Sequence, residues 1–98
     1  MLAKYDIMFF NWDEGKNKKL QAERGVSFEE VVLAIEDGRL LDILEHPNQK
    51  KYEGQRLYVV AVNQYAYIVP FADRGNERFL KTIFPSRKYT KTYLRKEK

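Results

Sequence analysis

Two apolar runs, Arg56–Asn63 and Tyr65–Ala72, meet around Asn63-Gln64 with almost nothing between them. So short a join makes an antiparallel hairpin the natural solution, and the aromatic and β-branched residues of both runs suit a pleated surface. Pro70 cannot donate to a ladder, so it marks a bulge or an unpaired side of the second strand. Asp73-Arg-Gly-Asn76 is a turn by composition, and Arg78–Phe84 is a further strand that completes a three-stranded meander.

The remaining elements must pack on that meander. Residues 4–10, rich in aromatic and branched side chains, predict a first strand. Asp13 is placed to cap a helix over 14–24, which Gly25 stops in a left-handed conformation; beyond Leu20 and Ala22 this helix has little to bury, so most of its surface faces solvent or a partner. A second helix over 27–37 is written at both ends. Ser27 and Glu30 form a capping box, Val26 and Val31 a hydrophobic staple, and Gly38 follows the last turn. Phe28, Val31, Val32 and Ile35 make its core stripe. Leu40–His46 then reads as a strand ended by Pro47-Asn48, followed by a polar loop to Gln55. Pro85-Ser86 opens a short last helix in which Tyr89 and Tyr93 lie one turn apart and Leu94 pins the end. The expected order is β-α-α-β-β-β-β-α, an α+β domain with helices gathered against an antiparallel sheet.

Ninety-eight residues allow one compact domain, 1–98, because a second would have to hold together with fewer than about 50 residues. No apolar run approaches the length of a membrane span, and the first residues lack the pattern of a signal peptide, so neither export nor a membrane partner is expected. Without cysteine, thiol nucleophiles, iron–sulfur clusters and Cys-type zinc sites are excluded; with His46 as the single histidine, a multi-histidine metal site cannot be built in one chain. Gly-rich phosphate loops are absent too, leaving metal-independent chemistry or pure binding, with no cofactor. The net charge of +4 hides an asymmetry: residues 81–98 carry seven Lys or Arg against Glu97 alone, and residues 1–80 sum to −2. Lys16, Lys18, Lys19 and Arg24 form a second basic cluster. Such a positive face is the electrostatic footprint of nucleic-acid binding, its plain alternative being a solvated tail.

These residues resemble the BrnT family of bacterial type II toxins, which is similar in fold to the RelE/ParE group of small ribonuclease toxins. Phe10-Asn-Trp12-Asp13-Glu-Gly-Lys16-Asn17 looks like the family's opening Trp-Asp-x-x-Lys motif. Arg24-Gly25-Val-Ser27-Phe28-Glu29-Glu30 looks like its His-Gly-Val-Ser-Phe-Glu-Glu segment, and Ser86-Arg87-Lys88-Tyr89 falls where it has Ser-Ala-Arg-Lys-Ala. The chain departs from the pattern at Arg24, where the family commonly has His, and at Pro85-Ser86-Arg87, which shortens the spacing before the last helix. The resemblance implies a RelE-like fold and a cytoplasmic toxin that cleaves RNA. It also implies a cognate antitoxin, in a toxin–antitoxin hetero-oligomer, that covers the basic surface offered by the first helix and last strand; the strand bearing Pro70 is a second docking candidate.

Metal-free RNA cleavage requires the 2′-hydroxyl to attack the adjacent phosphate, so a site must remove one proton, supply another to the leaving 5′-oxygen and stabilise negative charge. Arg87 is the candidate phosphate clamp, because it stands at the start of the last helix where backbone N–H groups also favour an anion; otherwise it pairs with a surface acid. Lys81, expected on the last strand and on the face of Phe79 and Ile83, stabilises the phosphorane, acts as a base if desolvated, or guards a strand edge. His46 is a candidate general base or an ordinary loop residue. Tyr89 and Tyr93 stack on bases or move a proton, or else pack on the sheet. Lys50, Lys51, Arg56, Lys88 and Lys91 extend the phosphate track, whereas Trp12 and Asp13 read as a staple and a cap. The rival reading is a nucleic-acid-binding or protein-interaction module that catalyses nothing.

Overall fold

Asn63 and Gln64 both take positive φ, +53° and +66°, the left-handed pair that lets a two-residue turn follow the twist of its strands. They join β3 (Arg56–Val62) to β4 (Tyr65–Arg74) at the centre of the sheet in a computed structural model that describes residues 9–95. Around this hairpin the chain runs β1 (Phe9–Asn11), α1 (Glu14–Arg24), α2 (Phe28–Glu36), β2 (Leu40–Glu45), β3, β4, β5 (Glu77–Leu80), β6 (Phe84–Pro85) and α3 (Arg87–Tyr89), which continues as a π-helical turn, Thr90–Leu94. The strands lie in the order β1-β5-β4-β3-β2, with β6 on β4 beyond the end of β5. An α+β architecture was expected and is found.

In three respects the sheet differs from expectation. It is mixed rather than antiparallel, because β1 pairs with β5 in parallel through Phe9↔Glu77 and Asn11↔Phe79. After β1 the chain crosses one face as two helices and returns to the sheet at the far edge, which leaves β5 as the neighbour of β1. Of the strand expected over 4–10, residues 9 and 10 fall in β1 and the rest lie outside the described residues. Secondly, β4 runs on to Arg74, so the turn shrinks to Gly75-Asn76, and Asp73 pairs with Arg78 across the ladder.

Thirdly, the last strand is broken, and Lys81 is not part of it. Lys81 N–H donates to the Pro70 carbonyl at 2.8 Å, so this edge of Pro70 faces β5. The N–H that proline lacks would have pointed the same way, and the reciprocal bond cannot form. The ladder opens over residues 81–83 and resumes as β6, with Ile68 opposite Phe84. Ile83 turns into the core while Phe79 pairs with Ala72, so Lys81 shares a face with Phe79 and not with Ile83.

Side-chain alternation gives the sheet two buried faces. On one, Tyr58, Val60, Val62, Val69, Phe71 and Leu80 pack with Ile83 against Leu20, Val26, Phe28, Val31 and Ala34 of the α1–α2 layer. Burying each large apolar side chain there contributes about 1.5–3 kcal/mol. Asp13 caps α1 by accepting from Gly15 and Lys16 N–H, while Trp12 stacks on Phe28 at 5.5 Å. The Ser27–Glu30 capping box is formed in both directions. Most of α1 is exposed, but Asn17 is buried and joins the helices: its Oδ1 accepts from Phe28 N–H at 2.7 Å and its Nδ2 donates to Glu29 at 2.8 Å. That second bond is the main cause holding the Glu29 carboxyl below its ordinary range. On α2 the buried residues are Phe28, Val31 and Ala34, with Val32 and Ile35 half-buried beside them.

The other face carries α3. Ser86 N–H donates to the Ala66 carbonyl, and Ala66 N–H donates to Oγ1 of the buried Thr90 at 2.8 Å. The Thr90 hydroxyl donates in turn to the Ser86 carbonyl at 2.7 Å. One threonine thus fastens the helix to β4. No helix among the described residues is long and apolar enough to cross a membrane.

Candidate functional site

Cross-strand register builds a row on the α3 face: Leu44 lies opposite Leu57, and Leu57 opposite Pro70. The next row is Asp42, Val59, Ile68 and Phe84. Beside the ladder break at Pro70, part of these rows floors a groove of about 380 Å³ lined by Leu44, Leu57, Ile68, Pro70 and Phe84, with Glu45, His46, Pro47 and Tyr89 at its sides, while Val59 stays buried.

His46 and Tyr89, expected from sequence, therefore meet in one cavity from two directions. His46 ends β2, and the following loop holds it. Its Nδ1 accepts from Asn48 N–H at 3.1 Å, its ring stacks on Tyr52 at 4.2 Å, and its N–H donates to the Gln55 carbonyl. Gln49 closes the loop by donating to the His46 and Gln55 carbonyls and accepting from Gly54. With Nδ1 used as an acceptor, the neutral ring carries its proton on Nε2, which is left as its donor.

Arg87 is exposed and follows the cap residue Ser86. The backbone expected to help it is not available: α3 is three residues long, and Ser86 Oγ already takes the Tyr89 N–H at 3.1 Å. What Arg87 offers an anion is its own guanidinium. Lys88 is exposed beside it, its Nζ 5.2 Å from the centre of the Tyr89 ring, and Lys91 is exposed one turn on. Lys81 is half-buried; its bond to Pro70 extends the row Leu44–Leu57–Pro70, and alternation from core-facing Leu80 carries its side chain to the groove face. Among the described residues, none of Lys81, Arg87, Lys88 and Lys91 is in an ion pair, the pairs being Arg39–Asp37, Arg56–Asp73 and Arg78–Asp73.

Other expected residues are not brought to the groove floor or walls. Arg56 pairs with Phe71 and so belongs to the α1–α2 face, where it lies over the Phe71 ring and 3.4 Å from Asp73. Arg78 shares that aspartate at 2.5 Å and donates to the Tyr58 hydroxyl at 2.7 Å. Burial opposes the charge on Arg78, but the bonds to Asp73 and Tyr58 outweigh it and raise its pKa further. Lys50 and Lys51 are exposed on the loop after His46, Lys51 lying over Tyr52. Tyr93 donates to Asp42 at 2.6 Å, strapping the π-helical turn across the sheet to β2; this bond is the main cause lowering the Asp42 pKa and raising that of Tyr93. Its ring is 5.9 Å from that of Tyr89. Arg24, which differs from the pattern of the resembled family, donates to the Ile83 carbonyl inside the ladder break.

Sequence reasoning missed Glu45 and Phe84. Glu45 borders the groove, but its pairing with Arg56 sends its side chain toward the α1–α2 face; Phe84 remains 37% exposed although it sits in a paired strand. The alternation of Leu44 and His46 along β2, set against Pro70, was the available signal.

The arrangement can grip a phosphodiester with unpaired cations and offer donors from two sides of an apolar cleft. No curated protein sequence matches the chain. A family model described as ribonuclease toxin, BrnT, of type II toxin–antitoxin system matches residues 12–92, from the tryptophan before α1 to the last turn beyond α3, and the chain belongs to that family.

Proposed function

We propose that this ribonuclease toxin cleaves RNA at the groove, without a metal, by attack of the ribose 2′-hydroxyl on the adjacent phosphorus. The new O2′–P bond forms as the P–O5′ bond breaks, giving a 2′,3′-cyclic phosphate and a 5′-hydroxyl. Arg87, with Lys81 beside the ladder break, neutralises the phosphorane. A solvent water takes the 2′-hydroxyl proton, Tyr89 passes its phenolic proton to the leaving 5′-oxygen and regains one from solvent, and neutral His46 steadies that oxygen by a hydrogen bond from Nε2. Lys50, Lys51, Lys88, Lys91 and Tyr93 lie along the path of the flanking strand, while Arg56 serves the opposite face. The observation that carries the reading is the meeting of His46 and Tyr89 in one groove beside cations that, among the described residues, no carboxylate neutralises.

A type II family implies a cognate antitoxin as partner. In our reading that antitoxin covers the free cations in a hetero-oligomer, the domain spans 1–98 with a RelE-like arrangement, and the toxin acts in the cytoplasm. The test is RNA incubated with antitoxin-free protein in the presence of a chelator. Cyclic-phosphate ends are expected, with Arg87→Ala slower by about 10²–10³-fold, as for loss of one transition-state donor. RNA left intact, or cut equally by the Arg87→Ala variant, would overturn the proposal.

A further inference from the structure

The groove is more apolar than phosphate chemistry requires. Its floor includes Leu44, Leu57, Ile68 and Pro70, and beside them lies Phe84, a residue 37% exposed. A phosphodiester gains nothing from such a surface, whereas the flat face of a nucleobase does, by stacking and by removing apolar area from water. At about 380 Å³ the cavity is at the small end of ligand sites, about 300–1,000 Å³, which suits one base with its sugar. Just before Tyr89 in the chain, Arg87 and Lys88 are exposed and, among the described residues, in no ion pair, so they are placed to meet the phosphates on either side of such a base.

We propose that the groove binds a single unstacked nucleobase of the RNA strand, which rests on the ribonuclease reading above and adds the part of the substrate that the site recognises. The floor and Phe84 carry no side-chain hydrogen-bonding group, so stacking there tolerates any base.

The test is titration of the full-length, antitoxin-free protein with CMP, AMP, GMP and UMP, and with ribose 5-phosphate, monitored through the NMR methyl signals of Leu44, Leu57 and Ile68. All four nucleotides are expected to shift these methyls, and ribose 5-phosphate to leave them in place. Phe84→Leu, which keeps an apolar residue in β6 but removes the ring, should weaken binding at least about fivefold, the lower end of base–aromatic stacking. Should that variant misfold, the comparison of the four nucleotides with ribose 5-phosphate on the unaltered protein carries the test. Cleavage of RNA with no methyl shift from any nucleotide would overturn the base site and spare the ribonuclease reading. Nucleotide binding without cleavage would do the reverse. Methyl shifts caused by the antitoxin alone would make the groove a protein-docking surface and overturn the proposal.

Discussion

Replacing Thr90 by valine keeps the shape of the side chain and removes only its hydroxyl, which makes it a sharp probe of how α3 is held to the sheet. Two hydrogen bonds disappear, from Ala66 N–H at 2.8 Å and to the Ser86 carbonyl at 2.7 Å. They are unequal losses. The Ser86 carbonyl keeps the Thr90 N–H at 3.1 Å, but Ala66 is fully buried and its N–H is left without an acceptor. An orphaned buried donor costs about 1–3 kcal/mol and the second bond about 1, so Thr90→Val should destabilise the protein by about 2–4 kcal/mol. In a domain of this size that lowers Tm by roughly 10–20 °C. Thr90→Ser keeps both bonds and loses one methyl group, at about 1 kcal/mol. Denaturant melts of the two variants, with hydrogen exchange at the Ala66 amide, read the difference directly. The reasoning fails if valine is within about 0.5 kcal/mol of wild type, or if serine is no better than valine. Because the same bonds orient the segment bearing Arg87 and Tyr89, RNA cleavage by the valine variant should fall by more than its loss of folded protein explains.

Ser27→Ala removes one half of the reciprocal cap on α2 and should cost about 1 kcal/mol in a urea melt, with Glu30→Ala adding less than its own effect because the two bonds share one box. Tyr93→Phe tests the strap to Asp42 through pH. The Asp42 pKa is lowered, so its contribution is present above the ordinary carboxylate value of about 4 and is lost as pH falls through the depressed folded value. The Tyr93 pKa is raised, so its contribution is present below about 10 and is lost as pH rises through the elevated folded value. Thermal melts should show wild type and Tyr93→Phe differing most between these limits and converging beyond both; a constant offset across the range would refute the strap.

Local signals were legible because local chemistry decides them. Asp13, Ser27, Glu30 and Gly25 carry helix ends in their own side chains or backbone freedom, and α1 and α2 begin and end where those residues say. The hairpin was equally plain, since a short join leaves its strands one arrangement. By contrast, the parallel pairing of β1 with β5 joins residues 68 positions apart and depends on where two helices deliver the chain, which no window of sequence contains. The groove has the same character. Leu44, Leu57, Pro70, Phe84 and Tyr89 come from different segments, and only the register of four strands makes them neighbours. Charge was the less reliable guide. Composition grouped Arg56 with the other cations, although it precedes Leu57 by one residue, and period-two alternation alone sends it to the opposite side of the sheet.

Pro70 links the readable and the unreadable parts. Its missing N–H was legible, but the consequences are tertiary: one absent ladder bond releases residues 81–83, and with them Ile83 enters the core while Lys81 stays beside Pro70. Arg24 then donates to the Ile83 carbonyl, tying the end of α1 to the released segment. Had β5 continued unbroken, a strand would have covered the edge of β4 and passed Phe84 and Ser86 without opening the cleft. The imperfection that weakens the sheet by one hydrogen bond is therefore what turns a flat two-sided surface into a concave one, and it does so beside the segment that carries Arg87 and Lys88. The floor is apolar because it is sheet interior laid open, and the rim is cationic because the chain that leaves the sheet there is its most basic part.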